Sequence, residues 1–422
     1  MKLRMALELG TSAVFIACSS SPGSGQGSTL LEPPSVSQGI QYKMNTTIDS
    51  SQEDERCKFV TVPSAGLWVN REEVRYSGGS HHFILWKTSY TSIPTQDVHG
   101  TTVDTSDVFE CPGGPSGAWN TTAFAAGAQT GNGPPLIDGL PSDVAVRFDP
   151  GTVLLMDLHV LNATSQAIAT EVRINLWSVP DSQVKTEAGI YFFYNPFIRV
   201  PAGGSASARM SCPVTGAVEL VNGQTHMHRR GLGGTATLVD GSGSPVQALY
   251  ESHSWEAVNV QSWAPGLALQ QGQSIDYQCN YQSTQTTDVM QGPTTKDEMC
   301  VLFGLYYPRD PKFETCSNDG TWHGLSTAAT FIGTGTATCA DTLQCLASAS
   351  PPDQDHGDSL YSCMAGSCAK AATQVTAAFD CETTQQSGAC ETACGNSKTE
   401  CIQCVVQNCQ AQISACQSAA CN

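Results

Sequence analysis

Charge is scarce in this 422-residue chain: 14% of its residues are Asp, Glu, Lys or Arg, against roughly a quarter in an average soluble protein. Basic residues are scarcest, 20 Lys plus Arg against 38 Asp plus Glu, a formal net charge of −18. So acidic a chain repels phosphate backbones, which excludes nucleic acid as a partner and argues against an anionic membrane surface. Beyond the first residues no apolar run approaches the ~20 residues that span a bilayer, so a multi-span membrane protein is excluded. Long helical periodicity is also missing between about Gly39 and Cys316. Gly, Ser, Thr and Ala fill the deficit, as in many all-β exported proteins. The length suits two or three domains, each able to bury its own core.

Cysteine, by contrast, is abundant at 19. A reducing cytosol rarely tolerates that many without metal clusters, so an oxidising compartment is the first reading. The number is odd, and Cys18 is the candidate for the unpaired one. Met1 to Arg4 carries two positive charges, Met5 to Ala17 is mostly apolar, and Phe15-Ile16-Ala17-Cys18 ends the run on a small residue before Cys. This layout resembles a bacterial lipoprotein signal over residues 1–18, with Cys18 lipidated; ordinary secretion with a stray thiol is the alternative. Residues 19–37, rich in Ser, Gly and Pro, read as a flexible tether. The expected location is therefore the bacterial envelope, periplasm or cell surface, with a lipid anchor to the membrane.

From about Gly39 to Cys316 the chain reads as short strands, including Phe83 to Trp86, Val153 to Val160, Val172 to Trp177, Ile190 to Tyr194, Ala217 to Val221 and Val301 to Tyr307. They are rich in β-branched and aromatic residues and bounded by Gly, Pro, Asn and Asp. Two β-sandwiches are expected, 38–186 and 187–320, with a seam near Glu187-Ala188-Gly189. The texture changes in 321–422, where Cys339 to Cys421 holds 12 cysteines. Cys390, Cys394, Cys401 and Cys404 stand at one-face helical spacings. A small helical module stapled by up to six disulfides is expected, although Cys401-Ile402-Gln403-Cys404 leaves a metal-thiolate reading open. Connectivity cannot be read from the spacing.

Five of the nine histidines fall into three groups in the β region: His81-His82, His159, and His226-Met227-His228. Singly, each would be an ordinary packed or surface histidine. Within a strand, however, period two would set His226 and His228 on one face, within reach of one metal ion. A His-His doublet fits a regular strand poorly and calls for a bulge, which Gly78-Gly79 could supply.

The context of these residues is similar to a known family. Ser80-His81-His82-Phe83-Ile84-Leu85-Trp86 resembles the HHxxL segment of the copper type II, ascorbate-dependent monooxygenases, which include peptidylglycine α-hydroxylating and dopamine β-monooxygenases. Leu154 to Asn162, with its single His159, resembles the family's next strand, and Gln224 to Gly231 its HxH segment. Asp297-Glu298-Met299-Cys300 matches its DEMC segment. The four motifs keep the family's order over roughly Gln38 to Ser317, leaving out tether and tail.

The resemblance implies an all-β fold of two tandem antiparallel, jelly-roll-like copper sandwiches, here followed by the disulfide-rich helical module. It implies two copper ions per chain, one on His81, His82 and His159, the other on His226, His228 and Met299, facing each other across a solvent-filled cleft. The second site would activate dioxygen, its soft thioether favouring Cu(I), and an external reductant such as ascorbate would supply electrons. It also implies disulfides Cys279–Cys300 and Cys212–Cys316, leaving Cys57 with Cys111. Core packing is the alternative reading for Met299.

The implied activity is hydroxylation of a C–H bond of a small-molecule substrate. Where peptide-amidating members clamp a carboxylate, this chain has Gln224, Val301 and Phe303, so peptidylglycine is disfavoured. With Trp255 these residues suggest an apolar pocket for a benzylic or aliphatic substrate. A non-catalytic copper-binding lipoprotein and a scaffold on a borrowed fold are the competing classes. The chain is read as a monomer. The cysteine-rich tail is expected to lie outside the copper domains, although it could pack on the second sandwich.

Overall fold

The computed structural model describes residues 30–112, 114–129, 134–316, 326–327, 329–349, 357–386 and 388–421. The expected signal peptide, Cys18 and most of the tether lie outside the described residues, as does the side chain of His81. No helix among the described residues is long and apolar enough to cross a membrane.

Strand is the main regular structure and is mostly antiparallel, and the α-helices of the described residues gather at the C-terminus. One long sheet runs through both halves in the order Gly39–Ile48, Ile168–Ser178, Leu67–Tyr76, Val144–Phe148, Thr186–Tyr194, Val301–Tyr307, Val218–His226, Gln261–Leu269. A five-stranded sheet (Phe109–Glu110, Gln52–Thr61, Val153–Asn162, Ser80–Thr88, Thr121–Ala128) closes the first sandwich over Met44, Phe59, Leu158 and Ile174. A second (Pro245–Glu251, Gly231–Val239, Ser274–Gln282, Ser205–Pro213, Thr330–Ile332) closes the other over Met210, Leu220, Tyr277 and Tyr306.

The expected seam at Glu187-Ala188-Gly189 is not a linker. It lies inside strand Thr186–Tyr194, which pairs in parallel with Val144–Phe148 of the first half and antiparallel with Val301–Tyr307 of the second. Gly189 is a close-approach site: a Cβ there would stand 2.6 Å from the Tyr306 ring. Buried Asn222 ties the halves again, donating to the Leu136 carbonyl (2.9 Å) and accepting from Leu305 N (3.1 Å).

Strand Val153–Asn162 explains where the site lies. On its core face stand Leu154, Met156, Leu158 and Val160. Leu155, Asp157 and His159 take the opposite face, yet they are buried too. An antiparallel strand normally leaves one face to water. Here the second half covers it, so polar residues at alternate positions end up in a dry seam.

Nine disulfides pin the fold. Cys57–Cys111, Cys212–Cys316 and Cys279–Cys300 lie in the sandwiches. The tail pairs Cys339–Cys416, Cys345–Cys363, Cys368–Cys421, Cys381–Cys409, Cys390–Cys404 and Cys394–Cys401. The last two staple helix Glu391–Asn396 to helix Lys398–Asn408 across Ser397, whose side chain caps the second helix by accepting from Glu400 N. All twelve tail cysteines are thereby used in disulfides, which leaves none for a metal-thiolate centre.

Candidate metal centre

The doublet His81-His82 enters strand Ser80–Thr88 through an irregularity. Ser80 pairs with Val160 and His82 with His159, so His81 is an extra residue without a cross-strand partner. Gly79 just before it has φ +85°, where a Cβ would stand 2.4 Å from Ile168 Cδ1. The bulge sets His82 opposite His159, with ring centroids 5.0 Å apart.

The HxH pair forms differently from expectation. Strand Val218–His226 ends at His226, so Met227 and His228 lie beyond it and strand periodicity does not align the two rings. A turn does so, Gly231 N donating to the His228 carbonyl at 2.9 Å. Glu298 fixes the turn: its carboxylate accepts from His228 N at 3.0 Å and Arg230 N at 2.8 Å. The His226 and His228 rings are 5.2 Å apart.

The two histidine groups are not separated by an open cleft. His82 and His226 stand 5.2 Å apart, edge to face, so His159, His82, His226 and His228 form one file across the seam. Met299 lines the same cavity as His82, His226 and His228. Among the described residues no three His, Cys, Asp or Glu side chains alone make a metal-binding group. The expected sets, however, draw on His81, whose side chain is outside the description, and on the thioether of Met299.

The donor chemistry fits a metal. The His159 Nε2–H donates to Glu53 Oε1 (2.9 Å), His226 Nδ1 faces Gln129 Oε1 (3.0 Å), and His228 Nδ1 faces the Asp297 carbonyl (3.2 Å). The Gln129 amide is oriented by its own donation to the Thr225 carbonyl at 3.1 Å. Each partner atom is an acceptor, which favours the tautomer with the proton on that side, the orientation that a supporting acceptor gives a ligating imidazole. The hydrogen bond from His159 holds the Glu53 carboxyl down at about 2. Glu53 also accepts from Thr295 N (3.0 Å) and Thr295 Oγ1 (2.6 Å), joining the halves.

Beside the histidines is a cavity of about 370 Å³. Phe124, Phe192, Val301, Phe303 and Trp86 give it an apolar wall, while Glu55 and Asp157 are its acidic spot. Burial pushes both carboxyls up; nearby Asp157 raises Glu55 further, and the hydrogen bond from Trp86 Nε1 (3.1 Å) partly offsets the effect on Asp157. Glu55 Oε2 and Asp157 Oδ1 have no hydrogen-bond partner. The sequence reading missed this pair. Its signal was a lone acid in the apolar run Val153 to Val160, two residues before His159. Val301 and Phe303 line the cavity as expected, whereas Gln224 lies buried beside it and Trp255 packs at the edge of the second core.

The tail does not stand apart. Its strand Thr330–Ile332 extends the second sandwich, and Tyr361 of helix Asp358–Ala365 lines the cavity. The tail packs on the second sandwich, which inserts Phe197 into the tail core.

Two β-sandwiches sharing a sheet, with imidazoles and a thioether gathered at the seam, make a β-rich fold with a candidate metal centre. Residues 196–328, most of the second sandwich, match the family model of the copper type II ascorbate-dependent monooxygenase C-terminal domain. No curated protein matches the chain. Solved structures similar to it include a peptide-N(4)-(N-acetyl-β-D-glucosaminyl) asparagine amidase, at 8% identity over 63% of this chain and 94% of that one, TM-score 0.24. Another is an infectious bursal disease virus Gx strain structure, at 9% identity over 64% of this chain and 71% of that one, TM-score 0.17. Likeness this slight carries no conclusion.

Proposed function

We propose that the protein is a copper-dependent monooxygenase that hydroxylates a C–H bond of an amine-bearing small molecule. The balance is R–H plus dioxygen plus two electrons and two protons, giving R–OH and water, with ascorbate or another external reductant as electron source. His81, His82 and His159 would hold one copper, and His226, His228 and Met299 the other. Bound copper supplies dioxygen activation and one-electron transfer, chemistry that no side chain here provides alone. The chain's own part is to orient three imidazoles through Glu53, Gln129 and the Asp297 carbonyl, and to keep water from the reacting bond with an aromatic wall. The observation that supports this reading is that His159, His226 and His228 come together at the seam, each with one ring nitrogen set against an acceptor, with Met299 lining the same cavity as His226 and His228.

Two carboxyl oxygens without partners, Glu55 Oε2 and Asp157 Oδ1, face a cavity otherwise apolar. An ammonium group supplies the missing donors, and the aromatic wall takes the organic body. A neutral alcohol leaves a charge-assisted bond unmade, worth about 1.5–3 kcal/mol. Export, with Cys18 lipidated, completes the reading and suits a disulfide-rich chain. An equivalent of two coppers per chain is expected by metal analysis, falling to one in His226→Ala. The metal-free protein should bind benzylamine at least about tenfold more tightly than benzyl alcohol, and Asp157→Asn should erase that preference. Zinc in place of copper, or equal binding of amine and alcohol, would overturn the corresponding half of the proposal.

A further inference from the structure

We infer that the disulfide-stapled C-terminal module forms one wall of the substrate cavity and that Tyr361 sets the size of substrate the cavity admits. This rests on reading the cavity beside the histidines as the substrate site. Tyr361 lines it together with Tyr194, Gln291, Pro293 and Met299. No other residue of the tail does so among the described residues.

Three features hold the Tyr361 ring in place. Phe197, at the end of a second-sandwich segment, enters the tail core and meets Phe331 at 4.5 Å, Phe379 at 5.4 Å and Tyr361 at 6.1 Å between ring centroids. Gly357 has φ +81°, and a Cβ there would stand 3.0–3.2 Å from the Tyr361 ring, so ring and backbone are in direct contact. The Cys345–Cys363 disulfide ties helix Asp358–Ala365 to helix Cys339–Ser348, two residues from Tyr361.

The module also shapes the opposite bank. Met290 packs against the tail core, and Gln291 and Pro293, which follow it, line the cavity. Gln291 Nε2 donates to Tyr194 OH, another lining group. The tail thus fixes both Tyr361 and the segment leading to Met299. Twelve cysteines in so small a module are accounted for if the wall must be rigid: a loose wall does not discriminate by size.

The test uses the metal-free full chain and four probes, benzylamine and 1-naphthylmethylamine, toluene and 1-methylnaphthalene, with binding measured by calorimetry. Tyr361→Ala should shift the large-to-small affinity ratio by at least about tenfold toward the naphthyl member of each pair. Tyr361→Leu should shift it less, and Tyr361→Phe should keep the wild-type ratio. The double variant Cys345→Ser/Cys363→Ser should follow Tyr361→Ala while the sandwiches stay folded by circular dichroism. A shift in the neutral pair without any amine preference would support the wall and overturn the amine reading. Wild-type ratios in folded Tyr361→Ala and Tyr361→Leu would overturn the inference, and so would binding of none of the four probes.

Discussion

Replacing Glu298 by Gln should damage the second histidine pair without touching a histidine. Glu298 is fully buried, and every group that faces its two oxygens is a donor: His228 N, Arg230 N and, at 3.7 Å, the Arg230 guanidinium. Burial pushes its carboxyl up to about 7, but a proton on either oxygen would meet an N–H, so the carboxylate is the form these contacts fit. An amide offers one oxygen and turns an NH2 toward a backbone N–H. One charge-assisted bond is then lost, one is weakened to neutral strength, and Arg230 loses its buried counter-charge. Breaking a buried pair by altering one partner costs about 3–5 kcal/mol. The turn carrying His228 loosens with it, and the loss of such a supporting contact lowers metal affinity by about 10–100-fold. Urea denaturation of the metal-free protein measures the first effect, and chelator competition on the copper-loaded protein the second. A Glu298→Gln protein within about 1 kcal/mol of wild type, with unchanged copper retention, would refute the reasoning.

Met299→Leu conserves volume and should cost under about 1.5 kcal/mol of stability, and should still load close to two coppers. It should lower hydroxylation by at least about a hundredfold, roughly 2.7 kcal/mol of barrier; near-normal turnover would show that Met299 is core packing. Gln129→Ala removes the acceptor from His226 Nδ1 and a contact between the halves, so one copper should be lost to chelator about 10–100-fold more readily while the other is retained. Glu72 is buried and its carboxyl is pushed up to about 8, while its Oε1 accepts from Gly127 N and Leu136 N. A raised carboxyl favours folding below its unfolded value, near 4.3, and that contribution is lost as pH rises through about 8. Glu72→Gln should therefore gain stability relative to wild type between pH 5 and pH 9, by at most about 1.4 kcal/mol per pH unit; parallel melting profiles would contradict this.

What the sequence made legible was local. Short runs rich in β-branched and aromatic residues, Phe83 to Trp86 and Val153 to Val160 among them, bounded by Gly, Pro, Asn and Asp, marked strands. The doublet His81-His82 announced its bulge because two neighbours cannot share a face of a regular strand. Long-range contacts left no such trace. Glu53 and Thr295 meet across 242 residues, and Gln129 and His226 across 97. The seam near Gly189 was placed by its position midway through the β region, and nothing local says that the Tyr306 ring needs the space at Gly189. Trp255 was assigned to the pocket as an apolar residue, and apolar character also suits the edge of a core. Tyr361 was hidden by its setting, since cysteine spacing signals staples but not what the stapled face covers.

The supporting contacts also bear on whether the two histidine groups act separately. His159 donates to Glu53, Glu53 accepts from Thr295, and the Thr295 carbonyl accepts from Arg230 Nη1 at 2.9 Å. Arg230 N in turn donates to Glu298, whose other oxygen holds His228 N. The chain of bonds runs from His159 of the first sandwich to His228 of the second without leaving protein. If the halves parted, Glu53 would keep His159 but lose Thr295, and Gln129 would leave His226. Each histidine group would then be oriented by fewer partners than in the closed arrangement. Closure and ligand orientation are therefore one structural event in this fold, and a substitution at Thr295, which touches no histidine, is the cleanest way to separate them. Thr295→Val keeps shape and the backbone N–H to Glu53 while deleting the 2.6 Å hydroxyl bond, a loss of about 1.5–3 kcal/mol for a bond to a carboxylate. If the groups are coupled, copper held by the first sandwich and copper held by the second should both become easier to remove. An effect confined to one of them would mean that the network supports each site independently.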